Sequence, residues 1–428
     1  MSPTFRALHH RNYRLYAAGS LVSNTGTWMM RIAQDWMVLV LTGSGTLLGV
    51  VTGLQFLPML LMSPYAGLIA DRFPKRRLLQ VTQASMAVSS LVLGALAVTG
   101  TVQVWHVMVL AFLFGIGTAF DAPARQAFVS EMVGPRDLSN AVGLNSASFN
   151  AARLVGPALA GLLIAWWGSG AEAAGWVVLL NAVSYLAVIA SLQRMRTDLL
   201  TPSVPAARGR GRVREGVAYV RSRPDLILVL TIVFFAGTFG LNFQITSALM
   251  ATQTFGMGAG EYGLLGTVLA IGSLSGALWA ARRETTRLRL VVGAALAFGV
   301  VVIASGLMPS YATFALIAPL TGFTALTLIT SANTTIQLTV APELRGRVMS
   351  LYLMIFMGGT PVGAPVIGWI GEAFGARWTL VIGGAVVVLG TLAAAALFMR
   401  AEPRAPQLRD LRRRGAVRPL PESPALAA

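Results

Sequence analysis

Apolar runs of about 20 residues recur roughly twelve times along this sequence, separated by short polar breaks. A run of that length crosses the hydrocarbon core of a bilayer as one α-helix. The chain is 55% hydrophobic and only 11% charged, which leaves too little polar surface for a soluble globule of 428 residues. We therefore predict an all-α membrane protein without a separate soluble domain. The predicted spans cover residues 12–41, 46–70, 78–98, 104–122, 139–167, 174–194, 225–251, 259–281, 288–308, 312–334, 346–371 and 376–399.

The positive charges are concentrated in alternate breaks. If the amino terminus is cytoplasmic, the six outer breaks contain no Lys or Arg, and Arg377 lies just past the last of them. The inner breaks are rich in arginine, as in the segment from Arg72 to Arg77. This distribution follows the positive-inside rule, so the net charge of +17 indicates topology and not nucleic-acid binding. We expect a multi-pass protein of the cell (inner) membrane with both termini in the cytoplasm.

The longest internal polar stretch, residues 195–224, divides the predicted spans six and six. Residues 1–194 and 225–399 are then two six-helix bundles joined by a cytoplasmic linker. Within the linker, residues 213–221 have the pattern of a short amphipathic surface helix. Residues 400–428 combine many arginines with Pro and Ala, which predicts a basic, disordered cytoplasmic tail.

A dense charge cluster joins the second and third spans, where residues 67–79 read GLIADRFPKRRLL. This segment resembles the GxLaDRxGRkxxL loop of the major facilitator superfamily, and differs mainly in Pro74, where that family usually has glycine. The resemblance implies that Asp71 bridges to the eleventh span and helps to lock a cytoplasmic gate. A simple topology signal would explain the basic residues but not the carboxylate. The gate residues that the resemblance implies are Gly67, Asp71, Arg72 and Arg76.

The fourth span lacks the internal arginine that antiporters of this superfamily carry. Asp121 and Arg125 lie instead at its predicted cytoplasmic end. We therefore assign these two residues to the gate or to topology, and not to a proton relay.

Four polar side chains share one face of the first span. Asn24, Trp28, Arg31 and Asp35 recur at intervals of four, three and four. A charge inside a membrane helix is costly and usually faces a bundle interior or a watery cavity. One interpretation is a cavity-lining pair in which Asp35 takes a proton. The other is a permanently closed pair of Arg31 and Asp35 that only fixes packing.

The fifth span reads RLVGPALAG from Arg153 and resembles the antiporter motif GxxxGPxxGG of the superfamily. Gly156, Pro157 and Gly161 match the motif, and small residues of this kind let helices approach closely. The resemblance implies an exporter in which the motif seals one side of the cavity, whereas an ordinary tight helix contact is the alternative. Arg153, with Asn150 one turn earlier, is expected to meet an anionic substrate group or Asp35.

The seventh span carries a second polar stripe, with Asn242 between Thr238 and Thr246 and with Gln244 beside it. This stripe is expected either to face the cavity or to form hydrogen bonds that hold neighbouring helices together.

Three short segments narrow the resemblance, which covers about residues 10–400. Residues 11–14 (RNYR), 34–36 (QDW) and 121–125 (DAPAR) look like the branch that contains the enterobactin exporter and related macrolide and multidrug exporters. The resemblance implies proton-coupled export of a small organic molecule, such as a drug, a macrolide or a siderophore-like compound, by alternating access. We expect a monomer in the lipid bilayer.

Other classes of function remain open at this stage. An importer of a metabolite shares the fold, and only the motif around Gly156 and Pro157 favours export. A polytopic membrane enzyme would need a cluster of His, Asp or Glu side chains, and the sequence indicates none. With no cysteine and three scattered histidines, we predict no cofactor and no metal. A purely structural or receptor role does not explain buried charges.

Overall fold

The computed structural model describes residues 3–201, 212–281 and 287–401, and every regular element in these ranges is helical. The all-α prediction is therefore confirmed for the described residues. The helices are α1 Arg11–Thr42, α2 Gly45–Arg72, α3 Lys75–Val98, α4 Val104–Met132, α5 Pro135–Trp166, α6 Ala171–Gln193, α7 Arg212–Arg221, α8 Pro224–Phe235, α9 Phe243–Leu249, α10 Ala259–Ala281, α11 Leu288–Gly306, α12 Tyr311–Thr339, α13 Pro342–Gly358, α14 Thr360–Phe374 and α15 Ala376–Ala401.

Eleven segments of the described chain are long and apolar enough to cross a membrane. The first predicted span, α1, is not among them, because Arg31, Asp35 and further polar residues lower its hydropathy. Its 32 residues nevertheless make a helix of about 48 Å, longer than a bilayer core. α1 packs along α5 and α6, two of the apolar segments, so it runs inside the helical bundle.

The helices cross the bundle in alternation and therefore define two faces. The terminal face carries the start of α1, the turn from α2 to α3 and the end of α15. The distal face carries the short turns on the opposite side, as at Gly43, which has the left-handed φ of 63° that glycine tolerates best. α7 lies at the terminal face and packs on α13 through an ion pair of 2.5 Å between Glu215 and Arg347. The predicted surface helix is thus present.

Helix packing joins the first six membrane helices and the last six by two main contacts. α2 packs against α14, and α5 packs against α10. Other extensive contacts, such as α1 with α6, α3 with α6 and α10 with α12, stay within one set of six. A space between the two sets is bordered by α1, α2 and α5 on one side and by α9, α10 and α14 on the other.

Two of the predicted spans are interrupted. The seventh consists of α8, a π-helical turn, the non-helical residues Leu241 and Asn242, and α9. The eleventh changes from α13 to α14 at Gly359, just before Pro361. The two interruptions meet, because a Cβ on Gly363 would lie 1.8 Å from the carbonyl oxygen of Thr238. Irregular backbone at membrane depth is tolerated where it is buried in protein or lines a cavity.

Candidate functional site

A cavity of about 140 Å³ lies between the two sets of helices. A smaller cavity of about 80 Å³ lies beside it and shares Leu241 and Gln244, the first at the break of the seventh span and the second in α9. The larger cavity is lined by Trp28, Ile32, Arg153, Pro157, Leu241, Phe243, Gln244, Ser247, Tyr262, Gly266 and Leu269. The smaller one is lined by Thr52, Phe56, Leu241, Asn242, Gln244, Ile245 and Thr360.

Two guanidinium groups flank one indole ring in this region. The Cζ atom of Arg31 lies 5.1 Å from the ring centre of Trp28, and that of Arg153 lies 5.5 Å from it. Arg31 is also 5.3 Å from the ring centre of Phe56, which lines the smaller cavity. Both cations are therefore held by aromatic faces, an interaction that strengthens when water is excluded.

Asp35 is almost completely buried, with 3% of its surface exposed, and it bonds across the interface between the two sets of helices. Its Oδ2 accepts a hydrogen bond of 3.0 Å from the hydroxyl of Tyr262 in α10. The same hydroxyl lies 3.3 Å from the backbone carbonyl oxygen of Gln244. The described ion pairs do not include one between Arg31 and Asp35 within 4.0 Å, so the structure does not support the interpretation of a permanently closed pair. Sequence reasoning missed Tyr262.

Asn24 lies apart from these cavities, in a polar network within the first six helices. Its Oδ1 accepts a hydrogen bond of 3.3 Å from Arg125. Asp121 accepts bonds from Arg125 at 2.9 Å, Gln83 at 2.7 Å and Thr82 at 3.0 Å. The expected place of Asp121 and Arg125 at a helix end is wrong, because α4 continues to Met132 and the pair lies inside the helix. All of these bonds stay within the first six helices.

Two of the three remaining polar candidates line a cavity, and one does not. Asn242 lines the smaller cavity and donates a bond of 2.8 Å to the carbonyl oxygen of Thr238. Gln244 lines both cavities. Asn150 is half-buried, donates to the carbonyl oxygen of Ser146 in its own helix, and lines neither cavity, unlike Arg153.

The small residues of α5 contact two different helices. A Cβ on Gly156 would lie 2.6 Å from the Cβ of Trp28, so Gly156 packs on α1 within the first six helices. Gly161 instead faces α10, and a Cβ added at Gly161 would lie 2.5 Å from the carbonyl oxygen of Ala259. Pro157 also packs on α10, and its carbonyl oxygen would lie 2.4 Å from a Cβ on Gly263. Pro157 and Gly161 therefore join the two sets of helices, whereas Gly156 positions Trp28.

The distal face is closed by backbone contacts between α2 and α14. A Cβ on Gly49 would lie 2.2 Å from the carbonyl oxygen of Ala364, and one on Gly368 would lie 2.1 Å from that of Gly45. Glu372 adds hydrogen bonds of 2.6 Å from the Ser44 hydroxyl and 3.1 Å from the Thr46 backbone. At this face the two helices are as close as their backbones allow.

At the terminal face, the predicted gate residues that the structure describes do not make a contact between the two sets of helices. Gly67 has open space where a Cβ would stand, and Arg72 is exposed. Arg76 donates to the carbonyl oxygens of Leu192 at 2.6 Å and Gln193 at 3.2 Å, at the end of α6. The side chain of Asp71 lies outside the described part of the structure, so its role in a gate stays a prediction.

The sequence from residue 2 to residue 411 matches the family described as transmembrane secretion effector, a branch of the major facilitator superfamily. The chain belongs to this family. The predicted membership of the superfamily is confirmed, and the transporter has relatives along most of its length. It is 28% identical to the multidrug efflux pump Tap of Mycolicibacterium fortuitum, over 89% of this chain and 93% of that protein. It is 23% identical to macrolide efflux protein A of Streptococcus pyogenes, over 87% and 92% of the two chains.

A third relative matches over a shorter region. The transporter is 31% identical to the staphyloferrin A transporter of Staphylococcus aureus, over 36% of this chain and 38% of that protein. Among solved structures, a bacterial homologue of the human lysosomal transporter Spinster matches 94% of this chain, with a TM-score of 0.69 and 17% identity. A bacterial homologue of the iron transporter ferroportin matches 91% of it, with a TM-score of 0.68 and 16% identity. The fold is that of a major facilitator transporter.

The groups at the centre of this transporter are suited to binding a small molecule. In the described ranges, no three side chains of His, Asp or Glu come together as metal ligands. The larger cavity is lined by one cation, one indole and one amide; a second cation, Arg31, lies against the indole, and the buried carboxylate of Asp35 bonds to the lining residue Tyr262. Such a set can hold a small organic molecule.

Proposed function

We propose that this protein is a secondary active exporter that moves a small organic molecule across the cell membrane by alternating access. The observation that carries the proposal is the central cavity, which is closed on one side only. Towards the distal face, Gly45, Gly49 and Gly161 are in backbone contact across the two sets of helices. Towards the terminal face, no described atom lies within 4 Å of the point where a Cβ on Gly67 or Gly143 would stand. In this proposal the two sets of helices separate on that side.

The distribution of charge supports the direction of transport. Lys and Arg are concentrated in the segments at the terminal face, which the positive-inside rule places in the cytoplasm with both termini. In this proposal the cavity opens to the cytoplasm, which is the state in which an exporter loads its substrate. Small residues at the contact between α5 and α10 support a seal towards the outside.

Residues 1–194 and 225–399 act in this proposal as two bundles that rock about the cavity, and residues 195–224 link them. The basic tail, residues 400–428, falls almost entirely outside the described residues. The protein works as a monomer in the lipid bilayer. The names of its relatives favour a drug, a macrolide or a siderophore-like compound as the substrate.

Asp35 is the coupling carboxylate in this proposal. Its bond to Tyr262 links α1 to α10 across the interface, so it has to break when the distal face opens. Opening then exposes Asp35 to the outside, where a proton is available. A charge-assisted hydrogen bond favours the ionised carboxylate, so loss of the tyrosine hydroxyl makes protonation easier.

The test is an accumulation screen in cells with and without the protein, repeated with a protonophore and with Asp35→Asn. Drugs, macrolides and siderophores are the compounds to screen. We expect the wild-type protein to lower the accumulation of at least one class, and we expect the protonophore or Asp35→Asn to abolish the difference. Increased accumulation of a compound in cells with the protein would favour an importer instead.

A further inference from the structure

Two half-buried arginines beside the cavities lack a carboxylate partner: Arg153 lines the larger cavity, and Arg31 lies against the lining side chains Trp28 and Phe56. Neither Arg31 nor Arg153 forms an ion pair or a hydrogen bond with a protein group among the described residues, and the Nε atom of Arg31 is buried without any partner. Other arginines of the chain differ. Arg125 is paired with Asp121 at 2.9 Å, and Arg377 donates to two backbone carbonyl oxygens.

The nearest carboxylate does not fill this role. Asp35 is bonded to Tyr262 and lies beyond ion-pair distance of Arg31, as described above. Arg31 and Arg153 also repel each other, because both lie within 5.5 Å of the centre of the same indole. Two unpaired like charges in a region of low dielectric are costly, and an anion placed between them removes much of that cost.

The walls of the larger cavity suit a flat apolar group. Trp28, Pro157 and Phe243 contribute apolar surface, and Gln244 contributes an amide. An apolar cavity of about 150 Å³ holds a benzene ring, and this cavity measures about 140 Å³. It therefore has room for one aromatic ring beside Trp28 and the guanidinium group of Arg153.

We propose that the cavity binds an organic oxyanion, with its carboxylate or similar group between Arg31 and Arg153 and its ring against Trp28. The proposal rests on the proposed function, since it names the chemical class of substrate for the same cavity. Arg31 and Arg153 form charge-assisted hydrogen bonds with the anion, and the planar guanidinium fork suits a carboxylate. The cavity accordingly selects anions over cations of the same size.

The test compares three probes that share one ring: benzoate, its neutral amide benzamide, and benzylammonium. Binding to the purified full-length protein in lipid nanodiscs is measured by ligand-observed NMR. We expect benzoate to bind at least about tenfold more tightly than benzamide, since hydrogen bonds to charged groups contribute this much or more. Benzylammonium should bind more weakly than either.

Variants locate the site. Arg153→Gln should weaken benzoate binding by about 10- to 100-fold and leave benzamide almost unchanged, and Arg153→Lys should restore part of the preference. Arg31→Gln is a second variant with the same expectation. Arg377→Gln is the matched control, because this arginine also lies over an aromatic ring, at 5.7 Å from Phe255, but outside the cavity. Displacement of benzoate by phosphatidylglycerol in the disc would support the oxyanion site and assign it to a lipid headgroup.

Equal binding of the three probes, tighter binding of benzylammonium, no measurable binding of any probe, or an Arg153→Gln variant that behaves as wild type would each overturn the proposal. Failure of the exporter proposal gives a different result. If the cavity prefers cations and uphill export is intact, the anion-site proposal fails and the exporter proposal stands. If the cavity prefers anions and no uphill transport is seen, the exporter proposal fails and the anion-site proposal stands.

Discussion

Gly49 lies at the closest approach between α2 and α14, and Gly49→Ala tests whether this contact keeps the distal face closed. The added Cβ would stand 2.2 Å from the carbonyl oxygen of Ala364, a distance that real Cβ atoms do not show. The two backbones have to separate until this distance exceeds 3.0 Å. A carbonyl oxygen cannot rotate away as a flexible side chain can, so the whole contact is affected.

The substitution acts on one state of the transport cycle. Overpacking costs about 1 to 3 kcal/mol, and only the distal-closed state carries the contact. The higher helix propensity of alanine, about 1 kcal/mol, acts in both states and cancels. We therefore expect the ratio of distal-open to distal-closed molecules to rise about 5- to 150-fold. Gly45→Ala and Gly53→Ala should have smaller effects, because their Cβ atoms meet carbonyl oxygens at 2.8 and 3.0 Å.

Cysteine labelling measures this ratio without interference, because the natural chain contains no cysteine. Ser247→Cys places a thiol in the wall of the larger cavity, and a membrane-impermeant maleimide is applied from the distal side. The labelling rate should rise with Gly49→Ala in proportion to the distal-open fraction. Gly143→Ala is the matched control, since no described atom lies within 4 Å of its Cβ position. If Gly49→Ala labels no faster than Gly143→Ala, the contact does not hold the distal face closed.

Three further substitutions test the charged groups. Asp35→Asn keeps the size of the side chain but replaces the carboxylate with an amide that cannot titrate. Uphill export should therefore be lost, while downhill substrate exchange in vesicles continues. Retained uphill export would exclude Asp35 as the coupling group. Tyr262→Phe removes a charge-assisted hydrogen bond to Asp35, which contributes about 1.5 to 3 kcal/mol. Distal labelling of Ser247→Cys should therefore rise about 10- to 150-fold. An unchanged rate would contradict a latch role. Asp121→Ala removes the carboxylate partner of Arg125 inside the helical bundle. This change should lower the free energy of unfolding by about 3 to 5 kcal/mol. Thermal denaturation in detergent measures the effect, and an unchanged midpoint would show that Arg125 finds another partner.

The helices were largely predictable because membrane-spanning segments need a long apolar run, which a single sequence displays. The span at 259–281 agrees with α10 at both ends. α4 was predicted too short because its last ten residues combine apolar and polar side chains. The interruption at Leu241 and Asn242 was missed, since neither proline nor a charge marks it. It depends on packing against α14, which the sequence of α8 and α9 does not contain.

The candidate site was predictable only in part. Helical spacing correctly placed Trp28 and Arg31 near the cavity, because residues three and four apart share a face. Spacing within one helix also suggested the pair of Arg31 and Asp35, but the partner of Asp35 comes from a helix more than two hundred residues away. Tyr262 carried no local signal beyond its place near the start of an apolar run. Contacts between distant helices decide which polar groups pair.

The central claim is outward, proton-coupled transport through the cavity between the two sets of helices. Its most direct test is flux in proteoliposomes in which the orientation of the protein is known, with the compound that the accumulation screen identifies and an imposed proton gradient. We predict uphill movement of the substrate from the terminal face to the distal face, with protons moving the opposite way. Uphill movement towards the terminal face, or movement of substrate and protons in the same direction, would contradict the account.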